Sequence, residues 1–174
     1  MKALVVYESM FGNTEEVARA VADGLRERLE VEVVEVGDAP ASLPAPLDLV
    51  VVGGPTHAFS MTRQNTREDA VRQGATHPAG TGIRDWIDHL EAGRHTEYVA
   101  TFDTRVTKVR HLPGSAAKSA TKALRRHGFK SGAGTASFYV ADVDGPLVDG
   151  ELERARAWGG QLAAEAQARA GASA

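Results

Sequence analysis

The chain has 174 residues, 43% hydrophobic and 25% charged, with a formal net charge of −3 and no cysteine. That length predicts one domain over residues 1–174 with a full core, and the near-average composition excludes disordered, collagenous and coiled-coil chains. Without cysteine, disulfides, thiolate catalysis, iron–sulfur clusters and cysteine zinc sites are excluded.

Lys2–Tyr7 is a short run rich in β-branched residues, which predicts a first strand. The loop Ser9-Met10-Phe11-Gly12-Asn13-Thr14 follows. Val17, Ala18, Val21, Ala22, Leu25 and Leu29 then recur at spacings of three and four, the pattern of an amphipathic helix with Glu15 and Glu16 in its first turn. Val31–Val36 reads as a second strand, and Asp38–Pro46, with its prolines, as a loop. Leu47–Val52 is a third, uninterrupted apolar strand ending in Gly53-Gly54-Pro55-Thr56, as suits a strand covered on both faces.

The span from His57 to Gly82 is polar and longer than an ordinary strand-to-helix connection, with a short helix near Arg67–Arg72. Segments of this kind are usually functional or mobile. Ile83, Trp86, Ile87 and Leu90 form the apolar face of a helix. Tyr98–Phe102 reads as a fourth strand, Ser115–His127 as a helix, Gly134–Val140 as a fifth strand and Glu151–Arg169 as an alanine-rich final helix. Trp86 and Trp158 fall on helical apolar stripes, as core residues do. Five strands alternating with helices predict an α/β fold, an open parallel sheet covered on both faces.

No apolar window is long enough to span a membrane, and Glu8 cuts the first apolar run too early for a signal peptide, so a cytoplasmic domain is expected. Charge is uneven along the chain. Residues 1–55 hold ten carboxylates against four Lys/Arg, whereas Thr104–Lys130 hold eight Lys/Arg and no carboxylate. Lys118, Lys122, Arg125, Arg126, His127 and Lys130 lie on or just after the predicted helix and share one cationic face, a solvated surface or a docking face for an acidic partner or the phosphates of NADPH. Nucleic acid is not expected, because the face lacks interleaved aromatics and the chain is acidic overall. His57, His77, His89, His95, His111 and His127 are scattered without metal-ligand spacing, so no metal site is expected, and no nucleophile-elbow pattern occurs.

In open α/β sheets, ligands bind beyond the carboxyl ends of the strands. The loop Ser9–Thr14 joins a strand to a helix N-terminus, where unpaired N–H groups and the helix dipole favour an anion, with hydroxyl and amide help from Ser9, Thr14 and Asn13. It lacks the Gly-Lys-Ser/Thr of a P-loop and the Gly-x-Gly-x-x-Gly of dinucleotide binders.

A first strand followed by Ser-x-Phe-Gly-Asn-Thr resembles the FMN-phosphate loop of the flavodoxin family. The resemblance is sharp over about twenty residues here and coarse over the rest of the chain. It implies a three-layer, doubly wound five-stranded parallel sheet in the order 2-1-3-4-5 and one non-covalent FMN. The phosphate would sit on Ser9, Met10, Phe11, Gly12, Asn13 and Thr14. The ring would lie between the loops after strands three and four, on Pro55, Thr56, His57, Ala58 and Phe59 and on Phe102, Asp103, Thr104 and Arg105. No side chain is assigned as catalytic.

The chain departs from carrier flavodoxins in two ways. Those generally stack the flavin between two aromatics, whereas His57 and Phe59 stand near the first position here and the fourth-strand loop offers no Tyr; losing one stacker weakens binding by roughly tenfold. Carrier flavodoxins are also strongly acidic, whereas Arg105, with Lys108 and Arg110 behind it, is expected beside the pyrimidine edge and His111 near the same rim. A cation there raises the flavin potential. The resemblance thus implies a flavodoxin-like redox protein working with a redox partner protein or NAD(P)H, as a monomer or weak dimer. An FMN-containing NAD(P)H:quinone or flavin oxidoreductase, with the 57–82 segment shaping its pocket and His57 donating a proton, is the alternative, and a flavin-free binding module the third.

Overall fold

The most continuous apolar runs become the centre of a sheet. In the computed structural model, which describes residues 1–78, 80–91 and 95–172, β1 (Lys2–Tyr7) lies between β2 (Glu30–Glu35) and β3 (Leu49–Pro55). β4 (Tyr98–Val106) and β5 (Lys130–Val140) complete the order β2-β1-β3-β4-β5, with every neighbouring pair parallel. The helices are α1 (Asn13–Arg26), α2 (Gln64–Arg72), α3 (Ile83–His89), α4 (Ala116–Arg126) and α5 (Glu151–Ala172). This is the doubly wound α/β sheet expected from the sequence.

Alternate side chains of the central strands serve opposite layers. Ala3, Val5, Tyr7, Leu49 and Val51 pack with α1 and α5, whereas Leu4, Val6, Val50 and Val52 pack with α3 and α4. Burial on both faces is why these strands show no polar alternation. Each fully buried Val or Leu contributes about 1.5–3 kcal/mol. The composition of α5 follows from its neighbour. A Cβ on Gly159 would stand 2.1 Å from the Val21 carbonyl oxygen, and one on Gly24 would stand 2.0 Å from that of Arg156. α1 and α5 therefore meet backbone to backbone, and Ala155, Ala163 and Ala166 continue the same close seam.

Four elements differ in their boundaries from the sequence reading. β3 continues through Gly53-Gly54-Pro55, and β4 continues past Phe102 through Asp103, Thr104, Arg105 and Val106. Polar residues extend β4 because it is paired on both sides there, with Gly53–Pro55 of β3 and Ala136–Val140 of β5. β5 begins at Lys130 rather than Gly134, and α2 covers Gln64–Arg72, a turn longer than expected. Among the described residues no helix is long and apolar enough to cross a membrane.

Candidate functional site

The carboxyl ends of β1, β3, β4 and β5 surround a cleft of about 290 Å³, at the lower end of small-molecule pockets. Its first wall is the β1–α1 loop. Gly12 takes φ +90°, a left-handed conformation that glycine adopts without strain, and it turns the chain into α1. Ser9 is buried and its Oγ accepts from Gly12 N at 3.1 Å and Glu15 N at 3.3 Å, so the hydroxyl organises the loop from beneath. Met10, Phe11, Asn13 and Thr14 line the cleft. Thr14 Oγ1 lies 2.7 Å from Thr104 Oγ1, which ties the loop to the end of β4, and Asn13 Nδ2 donates to the Asp144 carbonyl at 3.1 Å. The first N–H groups of α1 have no partner within the helix, the arrangement that suits an anion without a lysine or arginine.

The second wall is Pro55, Thr56, His57 and Ala58. Thr56 Oγ1 donates to Asp103 Oδ2 at 3.0 Å and accepts from Ala116 N at 2.9 Å, while Ala117 N donates to the same carboxylate oxygen at 3.0 Å. Asp103 is thus fully buried beneath the α4 N-terminus and outside the cleft lining. His57 and Ser60 exchange both backbone hydrogen bonds at 3.0 Å, and Ala58 and Phe59 between them take φ 46° and 64°. That is a primed hairpin turn built without glycine. It leaves Phe59 47% exposed on the rim rather than in the cleft. His57 is half-buried, and burial lowers the pKa of its imidazole, so it is neutral at pH 7.

Thr104, Arg105 and Val106 form the third wall. Arg105 is buried, and its Nη2 donates to the Val109 and Leu112 carbonyls at 3.1 and 3.2 Å. Its Nε is buried without a partner among the described residues. Phe102 is the clear departure from expectation. It points away from the cleft, meeting Phe138 at 6.1 Å and Trp158 at 6.3 Å edge-on, and its ring lies where a Cβ on Gly53 would be. Position along the strand explains this, since Thr104 shares the face of Phe102 but stands two residues nearer the open end. His111 is exposed and accepts from Arg110 Nε instead of lining the cleft.

The fourth wall is the one sequence reasoning left unassigned. Thr66, Asp69 and Ala70 of α2 and Gln73 just after it face the cleft, with Val140 and Val143 closing the β5 side. The long polar stretch after β3 was the available signal. α2 is held by a buried network. Arg67, 2% exposed, donates from Nη1 to Thr62 Oγ1 (3.0 Å) and from Nη2 to Asp85 Oδ2 (2.6 Å) and Gln64 Oε1 (3.1 Å). Thr62 Oγ1 donates to Glu8 Oε1 at 2.6 Å, and Ile83 N donates to Glu8 Oε2 at 2.8 Å. A Cβ on Gly82 would stand 2.3 Å from Arg67 Nη1, so the glycine makes room for the guanidinium. Beyond α2, Thr76 N and His77 N both donate to the Met10 carbonyl.

Glu8 makes this network pH-sensitive. Burial raises its carboxyl above the ordinary value, against the opposing pull of Thr62, Ile83 and Arg67. The folded chain therefore holds a proton that the unfolded chain releases, and stability declines as pH rises from the ordinary glutamate value through the raised one. Denaturant titrations across that window are expected to show this slope in the native chain and its loss in Glu8→Gln. Identical slopes in both would show that Glu8 titrates alike folded and unfolded.

Comparison with known proteins finds a likeness in the N-terminal part of the chain. A family model described as Flavodoxin matches residues 5–77, which run from the second half of β1 through the Ser9–Thr14 loop, α1, β2 and β3 to α2. A curated relative, probable flavodoxin 1 of Bacillus subtilis (strain 168), is 43% identical over 53 residues, 30% of this chain and 34% of the relative. Residues 5–77 are thus similar to flavodoxins. The curated match spans about a third of that relative's length.

Beyond this N-terminal part, the likeness to flavodoxins is one of fold. The flavodoxin of Streptococcus pneumoniae TIGR4 superposes with TM-score 0.65 at 22% identity, over 95% of this chain and 99% of that one. Oxidised flavodoxin 2 from Bacillus cereus gives TM-score 0.66 at 20% identity over the same shares. The likeness to flavodoxins over residues 5–77 makes a flavin the group to test against this cleft. The residues present fit the phosphate end of FMN, because the loop supplies a left-handed Gly12 and an open helix N-terminus at the cleft. At the ring end the lining offers Phe11 and His57 as its ring-bearing side chains. Among the described residues no group of three His, Asp or Glu side chains stands ready for a metal.

Proposed function

We propose that the chain binds one FMN non-covalently and exchanges electrons with a redox partner protein or NAD(P)H in the cytoplasm, without a catalytic side chain of its own. The carrying observation is the Gly12-turned loop at the N-terminus of α1, which opens into a cleft walled by β3, β4 and α2. When bound, FMN supplies one- and two-electron redox chemistry. The chain's part is to hold and tune. The α1 N-terminus and the Asn13 and Thr14 side chains take the phosphate, Ser9 keeps the loop in shape, and Pro55, Thr56 and Ala58 form one side of the ring site. Arg105 places positive charge on the opposite side, and the valines at 106, 140 and 143 exclude water.

A second reading, an NAD(P)H-dependent quinone or flavin oxidoreductase, draws support from α2. Asp69 and Gln73 bring polar groups into the cleft, as a substrate pocket requires, and neutral His57 can donate a hydrogen bond there. Titration of the flavin-free protein with FMN and riboflavin, followed by fluorescence quenching, tests both. Each charge-assisted hydrogen bond to the phosphate is worth about 1.5–3 kcal/mol, so FMN is expected to bind at least roughly 100-fold more tightly than riboflavin. Equal affinities would remove the phosphate from the Ser9–Thr14 loop. Binding of neither at micromolar protein would leave only the third reading, a flavin-free binding module.

A further inference from the structure

Arg19, Arg26, Arg67, Arg72, Arg154, Arg156 and Arg169 each meet a carboxylate. The outer face of α4 instead gathers four cations side by side. Lys118, Lys122, Arg125 and Arg126 are exposed, frame one shallow groove and form no ion pair among the described residues. No carboxylate occurs anywhere from Thr104 to Lys130 to neutralise them.

Beside this face stand two of the molecule's exposed large apolar side chains, Phe59 at 47% and Leu112 at 46%. The Phe59 turn rests on the start of α4. Ser60 Oγ donates to Ser119 Oγ at 3.1 Å, and a Cβ on Gly114 would stand 2.5 Å from the Phe59 carbonyl oxygen. From inside the cleft, Arg105 Nη2 holds the Leu112 carbonyl. The turn keeps two non-glycine residues, Ala58 and Phe59, in the left-handed region, which L side chains rarely adopt. Neither the fold nor the cleft uses the aromatic ring that this strain presents to solvent.

We propose that the Phe59–Leu112 rim and the α4 cation row are the docking surface for an acidic protein partner carrying a redox centre near its own surface. Unpaired like charges steer an oppositely charged partner and raise its on-rate, while a central aromatic carries contact energy. The surface borders the flavin cleft, so the inference rests on the FMN reading for its purpose but not for its detection. A nucleic acid fits less well, because no aromatic interrupts the α4 cations and the chain is acidic overall.

The full chain should be titrated by biosensor with a small acidic [2Fe–2S] ferredoxin, beside FMN titrations of the same proteins. Micromolar binding is expected at low ionic strength, weakening at least about tenfold between about 20 and 200 mM salt. Lys118→Glu/Lys122→Glu is expected to lower the on-rate at least about tenfold with FMN affinity unchanged. Phe59→Gly, which relieves the positive φ, is expected to raise the off-rate several-fold. Absence of ferredoxin binding at low salt, or equal kinetics in all variants, would overturn the proposal. Tighter binding of a single-stranded oligonucleotide than of ferredoxin would reassign the face to nucleic acid. Failure of FMN binding with ferredoxin docking intact would sink the redox reading and leave the surface standing.

Discussion

Replacing Arg67 by methionine is expected to cost the fold about 3–5 kcal/mol, as when one partner of a buried charge network is removed. Arg67 is 2% exposed and ties α2 to Thr62 and Asp85. Without it, buried Glu8 loses its nearby cation, while Asp85, at 38% side-chain exposure, keeps part of its hydration. In a domain of this size the loss corresponds to a thermal midpoint roughly 6–20 °C lower. Arg67→Lys is expected to fall between, because an ammonium keeps the charge and loses the planar fork that reaches three acceptors. Adding Glu8→Gln to Arg67→Met should recover part of the loss, since the two groups share a network and their effects will not add. A loss below about 1 kcal/mol would show the network to be hydrated. The same variant tests the cleft. If α2 is a wall of the site, FMN affinity drops together with stability.

Replacing Arg105 by glutamine is expected to lower the reduction potential of the FMN-loaded protein. Reduction adds negative charge to the flavin, and a buried cation in the cleft wall favours that form over the oxidised one. Arg105 is 8% exposed, and its Nε finds no protein acceptor among the described residues. A tenfold change in preference, equivalent to about 59 mV per electron, is the expected size. Arg105→Lys should hold the potential within about a third of that shift, although it loses the fork that bonds the Val109 and Leu112 carbonyls. If both variants changed FMN affinity and neither moved the potential, Arg105 would be a loop anchor alone. Spectroelectrochemical titration separates these outcomes, and a strongly negative potential in the native chain would itself contradict the role.

By itself the sequence determined the fold and the position of one ligand end. Uninterrupted runs such as Leu49–Val52 suit burial on both faces, and helical periods between them predict an open parallel sheet, whose doubly wound order the resemblance of the Ser9–Thr14 loop implied. The Ser9–Thr14 loop was equally legible, because a glycine turn at a strand-to-helix junction is a local feature whose chemistry needs no distant partner. Only the tertiary structure decided the rest. Phe102 and Arg105, three residues apart, were both expected at the ligand. Pairing with β3 through Thr104 and with β5 through Val106 extended the strand past them, leaving Phe102 below the open end in the core and Arg105 at the cleft wall. The polar 57–82 stretch read as a loop with a short helix because its anchors are long-range. Arg67 finds Asp85, Thr62 finds Glu8, and Thr76 and His77 find the Met10 carbonyl. Periodicity records a residue's own environment along the chain. It does not record which buried charge will meet which, and that meeting made α2 a wall of the site.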